Sequence, residues 1–352
     1  MGAPPDRVRI ALATPLPVEL RRLITEVDPR VDLIADDELL PPQRFPGDHS
    51  GDPSYRRTPE QARAFDELLR AADIWYGIPD VDATMLTRLV PDSPALRWVQ
   101  TMAAGGGASV QAAGLSAADL ARVTFTTSAG VHAGPLAEFA VFAVLAGAKD
   151  LPRLLEQQQR RDWPERWFFR QVRDQTVLVV GLGGIGAECA RLLKGLGATV
   201  LGVRRYPAPV PHVDEVHGID ALPDLVARAD AIVFTLPGTP DTDRFYGAEL
   251  IAATRPGAVI VNVGRGTVID EPALIEALRA GHLGAAYLDV TATEPLPADS
   301  PLWELPTVLI SPHTAALDRA EDRRIAELFA DNLARFLSGQ PLRNVVRPGE
   351  FY

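Results

Sequence analysis

Val177-Leu-Val-Val-Gly-Leu-Gly-Gly-Ile-Gly186 is the stretch of this sequence that decides the fold. Its four apolar residues, 177–180, predict a buried strand, and the pattern after the glycines predicts a helix over 187–196. Glycines spaced in this way between a strand and a helix are typical of a phosphate-binding turn, because they allow a tight turn, close approach of a ligand and close helix packing. We therefore predict a dinucleotide site at Gly181, Leu182, Gly183, Gly184, Ile185 and Gly186. A glycine turn in a nonbinding domain of the same fold is the alternative.

The second strand of the same unit, predicted over 199–203, ends in Arg204 and Arg205. Dinucleotide sites that prefer NAD have an acidic residue here, which binds the adenosine ribose. Guanidinium groups would instead pair with a 2'-phosphate. We predict NADP as the preferred cofactor with NAD possible, and two solvated arginines with mixed cofactor use as the alternative.

Strand and helix patterns alternate along most of the chain, which predicts an α/β protein. The first unit has strands over 8–13, 31–34, 74–76, 98–101 and 123–126, interrupted by a proline-rich surface loop over 36–59. Helices over 136–148 and 151–159 connect it to the second unit, whose strands continue over 231–235, 258–263, 285–289 and 308–310. A last helix, over 319–337, follows the second unit and is expected to return to the first.

This order predicts two Rossmann/flavodoxin-like, doubly wound parallel-sheet domains with the active site in the cleft between them. The substrate-binding domain would comprise residues 1–127 plus 316–352. The cofactor-binding domain would comprise residues 128–315, including the connecting helices. Two domains are also the natural expectation for 352 residues.

Composition is that of a globular protein, with 47% hydrophobic and 23% charged residues. The formal net charge of -11 argues against nucleic acid as a partner, because phosphate backbones require clustered Lys and Arg. The longest apolar stretch, 139–148, is far shorter than the ~20 residues that span a bilayer, so no membrane association is expected. Cys189 stands alone, which excludes an intrachain disulfide, and the start of the chain does not resemble a secretory leader. We expect a cytoplasmic protein.

Three residues downstream of the glycine turn have distinctive settings: Arg265 in Val-Asn-Val-Gly-Arg-Gly, Glu294 in Thr-Glu-Pro-Leu-Pro and His313 in Ser-Pro-His-Thr-Ala. A guanidinium can hold a carboxylate with two hydrogen bonds, an imidazole can exchange a proton near neutral pH, and a carboxylate can orient that imidazole. With a nicotinamide cofactor these groups could reduce a 2-keto acid. The sequence shows no Cys and His spacing typical of a metal site.

These motifs resemble those of the D-isomer-specific 2-hydroxyacid dehydrogenase family over nearly the whole chain. The resemblance is carried by the glycine turn and by 130–138, 236–242, 255–266, 288–297 and 311–315. It implies that Arg265 binds the substrate carboxylate and carbonyl, that His313 is the acid and base, and that Glu294 orients and tunes His313. It also implies that Asp289 contacts the nicotinamide carboxamide, although a strand-end turn is the alternative for Asp289. The cofactor site would further include Thr235, Leu236, Pro237, Thr242, Val263, Gly264 and His313.

The resemblance places the substrate carboxylate against a loop of the first unit, Ala103 to Ser109, through Ala104, Gly105 and Gly106, together with Arg265. Family members commonly have one glycine followed by Val and then Asp or Asn. This chain has three consecutive glycines and then Ala108. The three glycines predict either a more flexible loop with a wider entrance to the substrate site, or only a tight turn at this position.

The function predicted in this way is transfer of hydride between NAD(P)H and a small 2-keto acid, such as glyoxylate or hydroxypyruvate, to give a D-2-hydroxy acid. A phosphoglycerate dehydrogenase and a dinucleotide-sensing corepressor of the same fold are the alternatives. A formate dehydrogenase is disfavoured, because those relatives have glutamine where Glu294 stands. The resemblance also implies a homodimer formed through the connecting helices, whose apolar surface would otherwise be intrachain core. His49 is expected on the surface and His132 near the connecting helix.

Overall fold

The computed structural model describes residues 7–347 and residue 349. They form two compact units. Unit 1 contains the described residues up to His132 and from Leu317 onward, and unit 2 contains Ala133–Ala316. The assignment of substrate binding to 1–127 plus 316–352 and of cofactor binding to 128–315 stays a prediction.

Unit 1 is built on a parallel five-stranded sheet with the order β2-β1-β3-β4-β5 among its described residues. Its strands are β1 Val8–Leu12, β2 Val31–Ile34, β3 Ile74–Tyr76, β4 Trp98–Gln100 and β5 Thr124–Thr126. Its helices are α1 Val18–Thr25, α2 Pro59–Arg70, α3 Ala83–Leu89, α4 Gly107–Ala112, α5 Ala117–Arg122 and the last helix, Glu321–Leu337. The strands are short, and β1, β3, β4 and β5 are largely buried because helices cover the sheet, whereas the edge strand β2 is half-buried.

The last helix belongs to the core of unit 1. Phe329 stacks on Trp98 with ring centroids 4.6 Å apart and meets the edge of Tyr76 at 5.1 Å. All three side chains are fully buried. Residues far apart in the chain therefore share one core.

Unit 2 is built on a parallel seven-stranded sheet with the order β12-β11-β10-β9-β6-β7-β8 among its described residues. Its strands are β6 Thr176–Val180, β7 Thr199–Val203, β8 Glu215–His217, β9 Ala231–Phe234, β10 Val259–Asn262, β11 Ala285–Leu288 and β12 Val308–Ile310. Its helices are α6 Ala133–Ala148, α7 Leu151–Arg160, α8 Gly184–Gly195, α9 Leu222–Arg228, α10 Ala248–Ala253 and α11 Glu271–Arg279. The last helix of the chain, Glu321–Leu337 of unit 1, is α12. The order reverses at β6, so the carboxyl ends of β6 and β9 border the crevice where such sheets bind ligands.

The parallel α/β fold is confirmed, and most predicted strands end within one residue of the observed strands. Helix α8 begins at Gly184, three residues before its predicted start. Glycine usually disfavours a helix, but in this protein Gly184 and Gly186 form the first turn of α8. None of the helices in the described part of the chain has both the length and the apolar content that crossing a bilayer requires.

The proline-rich segment predicted over 36–59 is irregular, apart from a 3-10 turn at Asp37–Leu39 and from Pro59, which is the first residue of α2. The expectation for His49 in this segment is wrong: only 12% of its side chain is exposed. Its Nε2 lies 3.4 Å from Glu321 Oε1, and Nε2 of His132 lies 3.0 Å from the same oxygen. Burial opposes the ionisation of Glu321, but the hydrogen bonds from His132 and His49 together outweigh it and lower its pKa to about 2.

Glu321→Gln should remove an acid-sensitive part of the folding stability. A carboxylate whose pKa is lower in the folded protein stabilises it above the unfolded value of 4.5, and that contribution is lost as the pH falls toward about 2. The pKa difference between 4.5 and about 2 corresponds to about 3 kcal/mol. The measurement is urea unfolding at a series of pH values from above 4.5 downward. As the pH falls, the free energy of unfolding should decrease less in Glu321→Gln than in the wild type. Glu327→Gln, on the exposed side of α12, is the matched control, and its free energy of unfolding should depend on pH as in the wild type. The same pH dependence in all three proteins would refute the prediction.

Candidate active site

The glycine turn after β6 leaves an open approach to the backbone at the start of α8. Gly181 has φ +100, a conformation that favours glycine, and a Cβ on Gly186 would lie 1.9 Å from the Gly181 carbonyl oxygen. By contrast, a Cβ on Gly183 would meet no described heavy atom within 4 Å. The turn thus excludes side chains where helix and strand meet and leaves space where a pyrophosphate would approach, so these residues fit a dinucleotide.

Arg204 directly follows β7, and its backbone amide donates to the His217 carbonyl oxygen at 3.1 Å. Its side chain is half-buried, and no carboxylate of the described residues is within ion-pair distance of its guanidinium. Arg205 is exposed and pairs with Asp241 at 3.1 Å. The two arginines therefore differ: Arg204 is available to an anion at the strand end, whereas Arg205 already has an acidic partner.

The segment after β9 borders the glycine turn. Thr235 Oγ1 donates to the Gly181 carbonyl oxygen at 2.7 Å, which brings the 235–237 turn beside the predicted phosphate position. Thr242 lies in a 3-10 turn, Pro240–Thr242, and its hydroxyl donates to the Pro237 carbonyl oxygen at 2.6 Å. This bond uses the hydroxyl proton of Thr242 within the turn, so a phosphate contact would require a new arrangement there.

Asp289 holds the loop that carries His313. Its Oδ1 accepts from Ser311 Oγ at 2.7 Å and from the amides of Thr314 and Ala315 at 3.0 Å, and its carbonyl oxygen accepts from the His313 amide at 2.9 Å. The residue is only 1% exposed, yet its Oδ2 has no partner among the described residues. A buried carboxylate oxygen without a donor is costly, so this atom fits a ligand that supplies an N–H, such as a carboxamide.

Glu294 and His313 are brought together. Glu294 Oε2 lies 2.7 Å from His313 Nδ1, and the backbone amide of Thr291 donates to Glu294 Oε1 at 3.2 Å. Nearly half of the His313 side chain, 47%, is exposed. Because the carboxylate occupies Nδ1, the other ring nitrogen is left for a substrate.

Arg265 lies on a tight turn after β10. Its Nη1 donates to the Gly264 carbonyl oxygen at 2.8 Å, and its side chain is otherwise exposed. A Cβ on Gly264 would lie 2.5 Å from the Leu236 carbonyl oxygen, and one on Gly266 would lie 1.9 Å from that of Thr291. Only glycine fits on either side of Arg265. Val263, which precedes the turn, is buried at 2% exposure.

A cavity of about 780 Å³ in unit 2 joins the three chemically suited residues. It is lined by Gly238, Thr239, Pro240, Asp243, Arg265, Gly266, Thr267, Thr291, Ala292, Glu294 and His313. The sequence did not single out Thr291, although its position three residues before Glu294 is a usable signal. In the described part of the chain, no group of His, Cys, Asp and Glu side chains could hold a metal ion.

The predicted substrate loop lies in unit 1. Ala104 is exposed, Gly105 is half-buried and Gly106 is buried just before α4. A Cβ on Gly106 would lie 1.8 Å from Thr101 Oγ1. Close packing against Thr101 therefore requires glycine at position 106. At this one position the structure favours the tight turn over a more flexible, wider entrance.

Comparison with known proteins shows which family the chain is similar to. The sequence profile described as "D-isomer specific 2-hydroxyacid dehydrogenase, NAD binding domain" matches residues 141–315. Glyoxylate/hydroxypyruvate reductase B of Pectobacterium atrosepticum is 36% identical over 219 residues, which cover 60% of this chain and 68% of that protein. D-3-phosphoglycerate dehydrogenase of Mycobacterium tuberculosis is 36% identical over 214 residues, but the match spans only 40% of its length and 60% of this chain.

A solved structure extends the likeness to the whole chain. The D-isomer specific 2-hydroxyacid dehydrogenase from Xanthobacter autotrophicus Py2, in complex with NADPH and MES, is 30% identical with a TM-score of 0.76. The alignment covers 98% of this chain and 100% of that one. The chain therefore belongs to the D-isomer specific 2-hydroxyacid dehydrogenase family, whose members are NAD(P)-dependent oxidoreductases.

Proposed function

We propose that this protein reduces a small 2-keto acid to the corresponding D-2-hydroxy acid at the cavity lined by Arg265, Glu294 and His313. The observation that carries the proposal is the 2.7 Å contact between Glu294 Oε2 and His313 Nδ1 beside Arg265 in one cavity. An anion anchor, a proton donor and a group that orients the donor are the parts that reduction of a 2-keto acid requires.

Each of the three residues has a separate role in this proposal. The Arg265 guanidinium binds the substrate carboxylate and the keto oxygen, because its planar donors match both acceptors. His313 donates a proton to the keto oxygen, and in the reverse direction removes it from the hydroxyl. Glu294 holds the Nδ1 side of the ring and so directs Nε2 toward the substrate. When bound, a nicotinamide cofactor would supply the hydride that adds to the keto carbon, while the proton from His313 goes to the keto oxygen.

The cofactor would lie against the turn at Gly181–Gly186 and the segments after β9, β10 and β11. The open position at Gly183 would admit the pyrophosphate, and the buried Oδ2 of Asp289 would accept from the carboxamide. Thr235, Leu236, Pro237, Thr242, Val263 and Gly264 would line the rest of this cofactor site. Asp289 would thus bind the cofactor with one oxygen and hold the His313 loop with the other.

We further infer a preference for NADP over NAD, because Arg204 is available at the end of β7. Arg204→Glu should raise KM for NADPH by about 10–100-fold and change KM for NADH far less, because a charge-assisted bond to the 2'-phosphate is worth about 1.5–3 kcal/mol. Initial rates at saturating 2-keto acid with both cofactors measure this. Arg205→Glu is the matched control, and its effect should be smaller because Arg205 already pairs with Asp241. A wild type that prefers NADH would sink the inference.

The homodimer predicted from the resemblance is supported by large apolar side chains that are exposed on α7 and in the segment after it. Trp163 is 96% exposed, Phe168 is 101% exposed, and Leu155 on α7 is 47% exposed. Large exposed apolar side chains close together in a chain commonly mark a protein interface. We expect sedimentation velocity to show a dimer for the wild type and a shift toward monomer for Phe168→Asp. Val18→Asp, at an exposed apolar site of unit 1, should remain dimeric; a monomeric wild type would rule out this proposal.

Glyoxylate and hydroxypyruvate are the first substrates to test, because the Pectobacterium atrosepticum relative is named for them and the match covers 68% of that protein. Oxidation of NADPH and NADH should be followed with these acids, with bulkier 2-keto acids and with phosphohydroxypyruvate. Turnover of the unphosphorylated acids supports the proposal. Turnover confined to the phosphorylated acid would favour the phosphoglycerate dehydrogenase alternative, and tight cofactor binding without turnover would favour the corepressor alternative.

We also infer a cytoplasmic location. The one cysteine of the sequence, Cys189, is buried and unpaired, which fits a reducing compartment.

A further inference from the structure

Asn262 occupies the last position of β10, three residues before Arg265, and is only 1% exposed. Its side-chain amide bridges the turn that carries Arg265. Nδ2 donates to the Arg265 carbonyl oxygen at 3.0 Å, and Oδ1 accepts from the Gly264 amide at 3.0 Å. One buried side chain thus binds the backbone on both sides of the Gly264–Arg265 peptide bond.

The turn that Asn262 bridges packs closely against two other segments, so a displacement of the turn would be passed on to them. Gly264 packs against the Leu236 backbone and Gly266 against the Thr291 backbone, with no space for a Cβ at either position. Arg265 itself gains little support from its own guanidinium, whose one hydrogen bond among residues 7–347 goes to the neighbouring Gly264 carbonyl oxygen. The direction in which the exposed side chain leaves the turn is therefore set by the backbone. Asn262 holds that backbone from the β10 side, while the Val268 amide donates to the same Arg265 carbonyl oxygen at 3.2 Å from the other side.

The same turn lies beside the group that orients His313. The Thr291 carbonyl oxygen faces Gly266, while the Thr291 amide donates to Glu294 Oε1 at 3.2 Å. A shift of the turn would thus reach Glu294 through one residue. Displacements of about 1 Å at reacting groups can cost about 10²-fold in rate.

We propose that Asn262 is a positioning residue that fixes Arg265 for binding of the substrate carboxylate. The inference rests on the proposed function, since it assigns Asn262 an effect on turnover that passes through Arg265. A residue that only ended β10 would stabilise the fold without any link to Arg265. The two roles differ in whether the effects of Asn262 and Arg265 substitutions add.

A double-mutant cycle on kcat/KM for the best 2-keto acid separates them. Asn262→Ala should lower kcat/KM about 10–100-fold in the wild type, through both KM and kcat as for Arg265→Ala, and less than about 3-fold in the Arg265→Ala background. The Kd of NADPH, measured by fluorescence, should stay within about 2-fold in every variant. Thr254→Ala is the matched control, because Thr254 is a buried polar residue of the same unit whose hydroxyl bonds Tyr246 and the Leu250 carbonyl oxygen. It should lower stability and leave KM unchanged.

Equal losses in the two backgrounds, or no loss in either, would overturn the inference. Asn262→Asp is the second variant, because it keeps the volume and the acceptor for Gly264 while losing the donor to Arg265, and it should show the same non-additivity. A crystal structure of Asn262→Ala gives a readout that does not need turnover: the Arg265 turn should be displaced, and an unmoved turn would contradict the proposal. If the wild type reduces no 2-keto acid, the proposed function fails, whereas an active wild type with additive variants refutes only the role of Asn262.

Discussion

Replacing His313 with asparagine should lower kcat for 2-keto acid reduction by about 10²–10⁴-fold, the usual contribution of a positioned general acid. Asparagine is the informative substitution because His313 has φ 52, and asparagine tolerates the left-handed region better than most residues. Its amide can still donate to Glu294, but it cannot transfer a proton at neutral pH. Steady-state kinetics should therefore show a loss in kcat with a smaller change in KM.

The control for this substitution is His212→Asn. His212 is an exposed histidine of unit 2 that also has positive φ, 67, and it lies outside the cavity. It should retain wild-type turnover. Binding of NADPH to His313→Asn should persist, since the phosphate turn and Asp289 are untouched. Near-normal turnover in His313→Asn would show that the proton comes from another group.

Arg265→Ala should lower kcat/KM by about 10³-fold, because it removes a charged, two-pronged hydrogen bond to the substrate. The loss should appear in both KM and kcat if the guanidinium binds the carboxylate and also the keto oxygen where charge develops. Arg265→Lys should recover only part of the activity, since an ammonium keeps the charge but not the planar pair of donors. Initial rates over a range of substrate concentrations separate the two effects.

Arg279→Ala provides the matched arginine control. Arg279 lies on α11 of the same unit and pairs with Glu276 on the exposed face of that helix. Its loss should leave kcat/KM unchanged. Added guanidinium should partly restore Arg265→Ala, because the cavity would accept the missing group, and should not affect Arg279→Ala. An Arg265→Ala enzyme with wild-type KM and kcat would contradict the assigned role.

Much of the fold could be predicted because parallel strands leave a strong signal in a sequence. Strands buried on both faces are continuous apolar runs, as at Val177–Val180, and these are easy to separate from the helices between them. Short helices such as α3 and α5 were not predicted, because their few apolar residues do not establish a period. The burial of His49 was missed for a different reason. Its partner, Glu321, is 272 residues away, and no local pattern reports such a contact.

The candidate site could be predicted to the extent that its residues carry charge or break the backbone. Arg265, Glu294 and His313 stood out by their chemistry and setting, and the structure places them on one cavity. Asn262 and Thr291 act through backbone hydrogen bonds, which depend on the conformation of a turn rather than on residue type. The bonds by which Asp289 holds the His313 loop were likewise hidden, because only the fold brings Ser311, Thr314 and Ala315 to its carboxylate.

Transfer of deuterium from NADPH labelled at the nicotinamide C4 position is the most direct test of the central claim. The enzyme would be given the labelled cofactor and a 2-keto acid whose product is chiral, such as hydroxypyruvate, and the product would be analysed by chiral chromatography and mass spectrometry. Our account predicts a D-2-hydroxy acid with one deuterium at C2. Three results would contradict our account. They are no oxidation of either cofactor by any 2-keto acid, formation of the L-2-hydroxy acid, and a product that carries no deuterium whichever face of the nicotinamide C4 is labelled.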